Sequence, residues 1–144
     1  MIFTENNKKL SFIICGYQYP QYNGLKNGYD SDANWLNCEF KFFENDNEAT
    51  CVDPCLSTWE LIDLIIELSC IIKGQKTSYV SDFMEPYLEL DIERLQDKIR
   101  FKIRFEYDSR EDGKTWEVTS LMEIEDAKKI LEELREFQRF YPVR

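Results

Sequence analysis

No histidine occurs among these 144 residues, which removes imidazole general-base chemistry, Ser-His-Asp and Cys-His arrangements and histidine metal sites together. Glycine is scarce, with five in the chain, and none is grouped into a loop that cradles phosphates. Basic charge is also short: 18 Lys and Arg stand against 28 Asp and Glu, a net charge of -10. That balance argues against nucleic acid or an anionic membrane as a direct partner and favours a basic one. No apolar run approaches the roughly eighteen residues of a membrane span, and no basic start followed by a short apolar segment marks a signal peptide. A cytoplasmic protein is expected. Cysteine is present in an odd number, five, and Cys15, Cys38 and Cys70 fall at apolar positions, which reads as reduced core thiols. Cys51 and Cys55 form a C-x3-C pair, too little for zinc without a second pair or histidines. Neither a metal nor a cofactor is expected.

What the chain does have is apolar side chains, 43% hydrophobic and 15% aromatic, enough to close one core in one domain over residues 1–144. The organising stretch is Asp53-Pro-Cys-Leu-Ser-Thr-Trp-Glu-Leu. Pro54 cannot donate to a sheet ladder, so a strand over 49–52 is expected to stop there. Ser57 followed by Glu60 writes a capping box and starts a helix over about 57–73, which Gly74 ends. Leu61, Leu64, Ile65, Leu68, Ile71 and Ile72 recur at spacings of three and four and make its core face.

Around this helix the chain alternates with period two. Strands are expected over 9–19, 33–43 and 49–52 before it, then 79–83, 87–93, 99–107 and 114–121 after it, with Asn27-Gly28 marking a turn. Leu36, Cys38, Phe40 and Phe42 point one way, and Trp35, Asn37, Glu39, Lys41 and Phe43 the other. A last helix over about 123–140 carries Ala127, Ile130, Leu131, Leu134 and Phe137 at helical spacing. The expected fold is α+β: a curved, mostly antiparallel sheet of about six to seven strands with two helices.

Charge separates two regions. A four-residue connection between 93 and 98 sets Glu93 opposite Lys98, Asp91 opposite Arg100 and Glu89 opposite Lys102, a structural ladder of opposite charges. Residues 30–67, by contrast, hold ten acids against one base, Lys41, for a net charge of -9. An acidic block of this kind is either a solvated face or a steering surface for a basic protein. Asp53 and Glu60 have local backbone roles. The candidate partner-binding residues are therefore Tyr29, Asp30, Glu44, Asp46, Glu48, Asp63 and Glu67. Tyr17, Tyr19, Tyr22 and Tyr29 border a Gly/Asn loop whose composition suits protein recognition, although some of them fit equally as packing at strand ends. Two other readings stand beside these: a hydrolase using carboxylates among Asp53, Glu60 and Glu85, and an acidic scaffold domain without catalysis.

Read together, three separated pieces carry a resemblance: Gly16-Tyr17-Gln18-Tyr19-Pro20 leading to Tyr29-Asp30 and Asp32-Ala33-Asn34-Trp35-Leu36; Asp53-Pro54 with Leu56 and Thr58-Trp59-Glu60-Leu61; and Phe83-Met84-Glu85-Pro86-Tyr87-Leu88. In their order and spacing, and in the closing Tyr141-Pro142-Val143-Arg144, the chain resembles the WapI-family immunity proteins, small cytoplasmic partners of bacterial polymorphic and contact-dependent toxins. The resemblance implies a protein that binds and neutralises the C-terminal domain of a cognate secreted toxin, a tRNA-cleaving nuclease in the namesake system. It implies no enzyme activity and transfers no binding residues, because the shared positions look like fold determinants.

Overall fold

The computed structural model describes residues 1–21, 32–107 and 114–144. The chain opens with β1 (Ile2–Glu5) and returns as β2 (Lys8–Tyr17). Asn6 makes the turn at a φ of 51°, a left-handed conformation that asparagine tolerates better than most residues. This strand was not expected from the sequence, since four residues ahead of Asn-Asn are too short an alternation to register. A 3-10 turn (Asp32–Asn34) leads to β3 (Trp35–Glu44), β4 (Asn47–Ser57), α1 (Thr58–Ile72), β5 (Ser78–Val80), β6 (Leu88–Leu95), β7 (Lys98–Tyr107), β8 (Lys114–Glu123) and α2 (Ile124–Phe140).

The α+β class stands, but the single curved sheet does not. The eight strands among the described residues form two four-stranded antiparallel meanders, ordered β1-β2-β3-β4 and β5-β6-β7-β8. Each meander has one apolar face, and turning the two faces together buries both. Phe40 stacks on Phe105 with ring centroids 4.0 Å apart, Phe42 on Trp116 at 5.5 Å, and Phe3 tilts against Phe101 at 5.5 Å. At the seam between β1 and β8 side chains replace the ladder: Thr4 N donates to Ser120 Oγ at 3.3 Å, and Thr119 N to Glu5 Oε2 at 3.1 Å.

β4 runs through Pro54 instead of stopping before it. It is the last strand of its sheet, and its pairing slips from Cys38↔Asp53 to Leu36↔Leu56. The missing N–H therefore falls in a bulge on an edge strand, where no ladder bond is lost. The capping box forms as expected, with Glu60 N donating to Ser57 Oγ at 3.3 Å and Ser57 N to Glu60 Oε2 at 2.7 Å. Leu61, Leu64, Ile65, Leu68 and Ile71 are buried, as are Ala127, Ile130, Leu131 and Leu134 of α2. Burying each large aliphatic side chain contributes about 1.5–3 kcal/mol, so the two helical stripes seal the core between the sheets.

The β6–β7 hairpin is tighter than expected. Its loop is Gln96-Asp97, with Gln96 at a φ of 56°, and shortening the connection by two residues moves every pair: Glu93 faces Arg100, Asp91 faces Lys102 and Glu89 faces Arg104. Arg100 bonds both Asp91 (3.2 Å) and Glu93 (3.0 Å), and Arg104 bonds Glu89 (2.8 Å). Lys98 and Lys102 turn to β8 instead, pairing with Glu123 (3.0 Å) and Glu117 (3.3 Å). The acids do face out opposite bases, in a different register from the expected one.

Candidate partner-binding surface

The fold divides the acidic segment into two groups. Glu44, Asp46 and Glu48 lie at the β3–β4 turn, where Glu44 approaches Lys8 at 3.9 Å and Asp46 and Glu48 make no ion pair among the described residues. A groove of about 430 Å³ runs beside this turn over the edges of Phe42 and Trp116, with Lys8 and Lys114 on its rim. The positive rim tempers the field of the turn. Asp63 and Glu67 belong to α1, which begins at the opposite end of the β3–β4 ladder, where Trp35 pairs with Ser57. Nine residues of β3 at about 3.3 Å each set the two ends about 30 Å apart. Tyr29 and Asp30 lie outside the described residues, as do Tyr22 and the expected Asn27-Gly28 turn.

The α1 group gains members that the sequence reading did not supply. Tyr79 of β5 projects beside Glu67, Asp63, Glu60 and Asp82; burial first, and then these carboxylates, push its hydroxyl up to about 12. Lys76 pairs with Glu67 and lies 5.7 Å over the Tyr79 ring. Asp82 falls outside the acidic window of the sequence, and only tertiary contact assembles it with α1. The helix also presents apolar side chains to solvent: Ile66 is 53% exposed, next to half-buried Ile62 and Cys70. Counting only the core-facing stripe hid this second one.

Several candidates prove to be occupied within the fold. Glu60, besides its cap, accepts Met84 N through Oε1 at 2.6 Å, tying the loop before β6 to α1. Tyr17 is buried and donates to Pro142 O, while the Arg144 guanidinium lies 3.3 Å over its ring. Asn34, fully buried, accepts from Arg144 N (2.9 Å) and Thr58 Oγ1 (2.8 Å) and donates to Arg144 O (3.1 Å). Tyr19 stays exposed. Asp53 is half-buried, and that burial raises its carboxyl above the ordinary 3.8; neither it nor Glu85 lines the groove at the β3–β4 turn.

None of the five cysteines is joined in a disulfide. Cys38 and Cys55 are buried in the core, and burial with the neighbouring Cys55 thiol raises Cys38 well above its ordinary value. Cys15, expected in the core, is exposed because it alternates outward from Ile14 on β2. Among the described residues no three His, Cys, Asp or Glu side chains are placed to hold a metal ion, and no helix is long and apolar enough to cross a membrane.

No curated protein and no solved structure is significantly similar to the chain. The family model described as Immunity protein WapI-like family matches residues 1–142. With nearly its whole length matched, and with the pieces that carried the resemblance joined in the fold through Asn34, Glu60 and Tyr17, the chain belongs to the WapI-like immunity protein family.

Proposed function

We propose that the protein binds and neutralises the C-terminal domain of a cognate polymorphic or contact-dependent bacterial toxin, in the cytoplasm and without catalysis. The toxin domain in this reading is an RNA- or tRNA-cleaving nuclease. The observation that carries it is the distribution of charge on a protein of an immunity family: residues 30–67 hold -9 of the total -10, and five of their acids fall into two surface groups, Glu44, Asp46 and Glu48 at the β3–β4 turn and Asp63 and Glu67 on α1. A nuclease must offer a basic groove to its substrate's phosphates, and an acidic surface laid over or beside that groove competes with them electrostatically. Tyr29, Asp30, Glu44, Asp46, Glu48, Asp63 and Glu67 make up the proposed contact and steering set.

The test is co-expression with the toxin domain encoded beside it. Cells carrying both should grow, and the two chains should co-purify at equal stoichiometry. Arrested growth of cells containing abundant folded immunity protein would reject the reading.

A further inference from the structure

The two helices meet solvent in different ways. On α2 the outer face is charge answered by charge: Lys128 pairs with Glu125, Lys129 with Asp126 and Arg135 with Glu132, each three residues along. Such a face is finished by its own ion pairs. The outer face of α1 is built otherwise. Ile62, Asp63, Ile66 and Glu67 are spaced at three and four and so share one side of the helix, and Leu61, Leu64, Ile65 and Leu68 already supply the core contact on the other. Asp63 is exposed and makes no ion pair among the described residues. Exposed Ile66 beside half-buried Ile62, edged by the Asp63 carboxylate and by Glu67, which holds Lys76, matches a partner that brings an apolar knob beside basic residues.

We infer that the outward Ile62–Ile66 ridge of α1, with Asp63 and Glu67 along its edge, is the docking face for the basic surface of the cognate toxin domain. This rests on the proposed function and narrows it to one of the two acidic groups. The β3–β4 turn lies at the end of the β3–β4 ladder opposite the start of α1 and is assigned to steering the approach, not to the bound contact.

Rates of association and dissociation with the purified toxin domain test the assignment. Ile66→Lys should speed dissociation at least tenfold and Ile66→Ala several-fold, with melting temperature unchanged because Ile66 is 53% exposed. Val80→Lys serves as the control: Val80 is 69% exposed but faces outward on β5, paired with Asp91, and its variant should leave both rates within twofold of the parent. Dissociation unaltered in both Ile66 variants would overturn the inference while leaving the proposed function intact. If the parent protein does not bind the toxin domain, both fall together. A parent dimer that Ile66→Lys converts to monomer with toxin binding unchanged would assign the ridge to a second copy of the chain and reject the inference.

Discussion

Asn34 has no charge and no catalytic chemistry, yet it joins three distant parts of the chain: it is fully buried, and its amide serves Thr58 at the start of α1 and both backbone groups of Arg144. Glu60 does similar work between the N-cap and the Met84 loop. These bonds give a physical reason for the scattered motifs that made the family resemblance legible, since each piece holds another. Ser57→Ala removes the side-chain half of the cap, a loss of about 1 kcal/mol, and should lower the melting temperature by about 2–4 °C at this chain length without altering partner affinity; an unchanged melting temperature contradicts the assignment. Asp53 offers a test by pH. Burial raises its carboxyl above 3.8, so the folded state favours the protonated form; that stabilisation is present at low pH and is lost as pH rises through the titration. Asp53→Asn should therefore melt above the parent at pH 7, and the difference should close as pH falls below about 3.8. A difference that is constant or widens on acidification would show that burial of charge at this position is not the cause.

At the scale of elements, periodicity made both helices and seven of the eight strands among the described residues visible in the sequence, and the Ser57–Glu60 spacing the capping box. Pairing was harder to read, because it depends on geometry that side-chain alternation does not carry. The hairpin slipped by two residues because Gln96 accepts a left-handed φ, which a glutamine in the sequence does not advertise. The division into two sheets was hidden because an apolar strand face reads alike under a helix or under another sheet. The acidic ladder supplies a direct check on register. A double-mutant cycle on Glu89 and Arg104 should give a coupling of about 0.2–1 kcal/mol, whereas one on Glu89 and Lys102 should give none. The opposite result would restore the register expected from the sequence.

Over the whole molecule, the charge imbalance was plain in the sequence, but its division between a turn and a helix was not, nor was the apolar ridge that distinguishes the helix group. Replacing Glu44, Asp46 and Glu48 by lysine should slow association with the toxin domain and flatten its salt dependence while leaving dissociation unchanged, because exposed charge acts mainly on the encounter. The comparison is a lysine variant of Glu132 and Glu136 on α2. Glu133 is left out of it because its carboxylate pairs with the buried Met1 ammonium at 2.7 Å, whereas the Glu132–Arg135 pair is a solvent-exposed one of little worth to stability. A larger loss of association rate in the α2 variant would mean that the turn is only a solvated face. The central claim, neutralisation by binding, is tested most directly by titrating the purified protein into a fixed amount of the toxin domain and following cleavage of RNA. The account predicts that cleavage falls linearly and ends at one equivalent; cleavage that continues in the presence of several equivalents of bound, folded protein would contradict it.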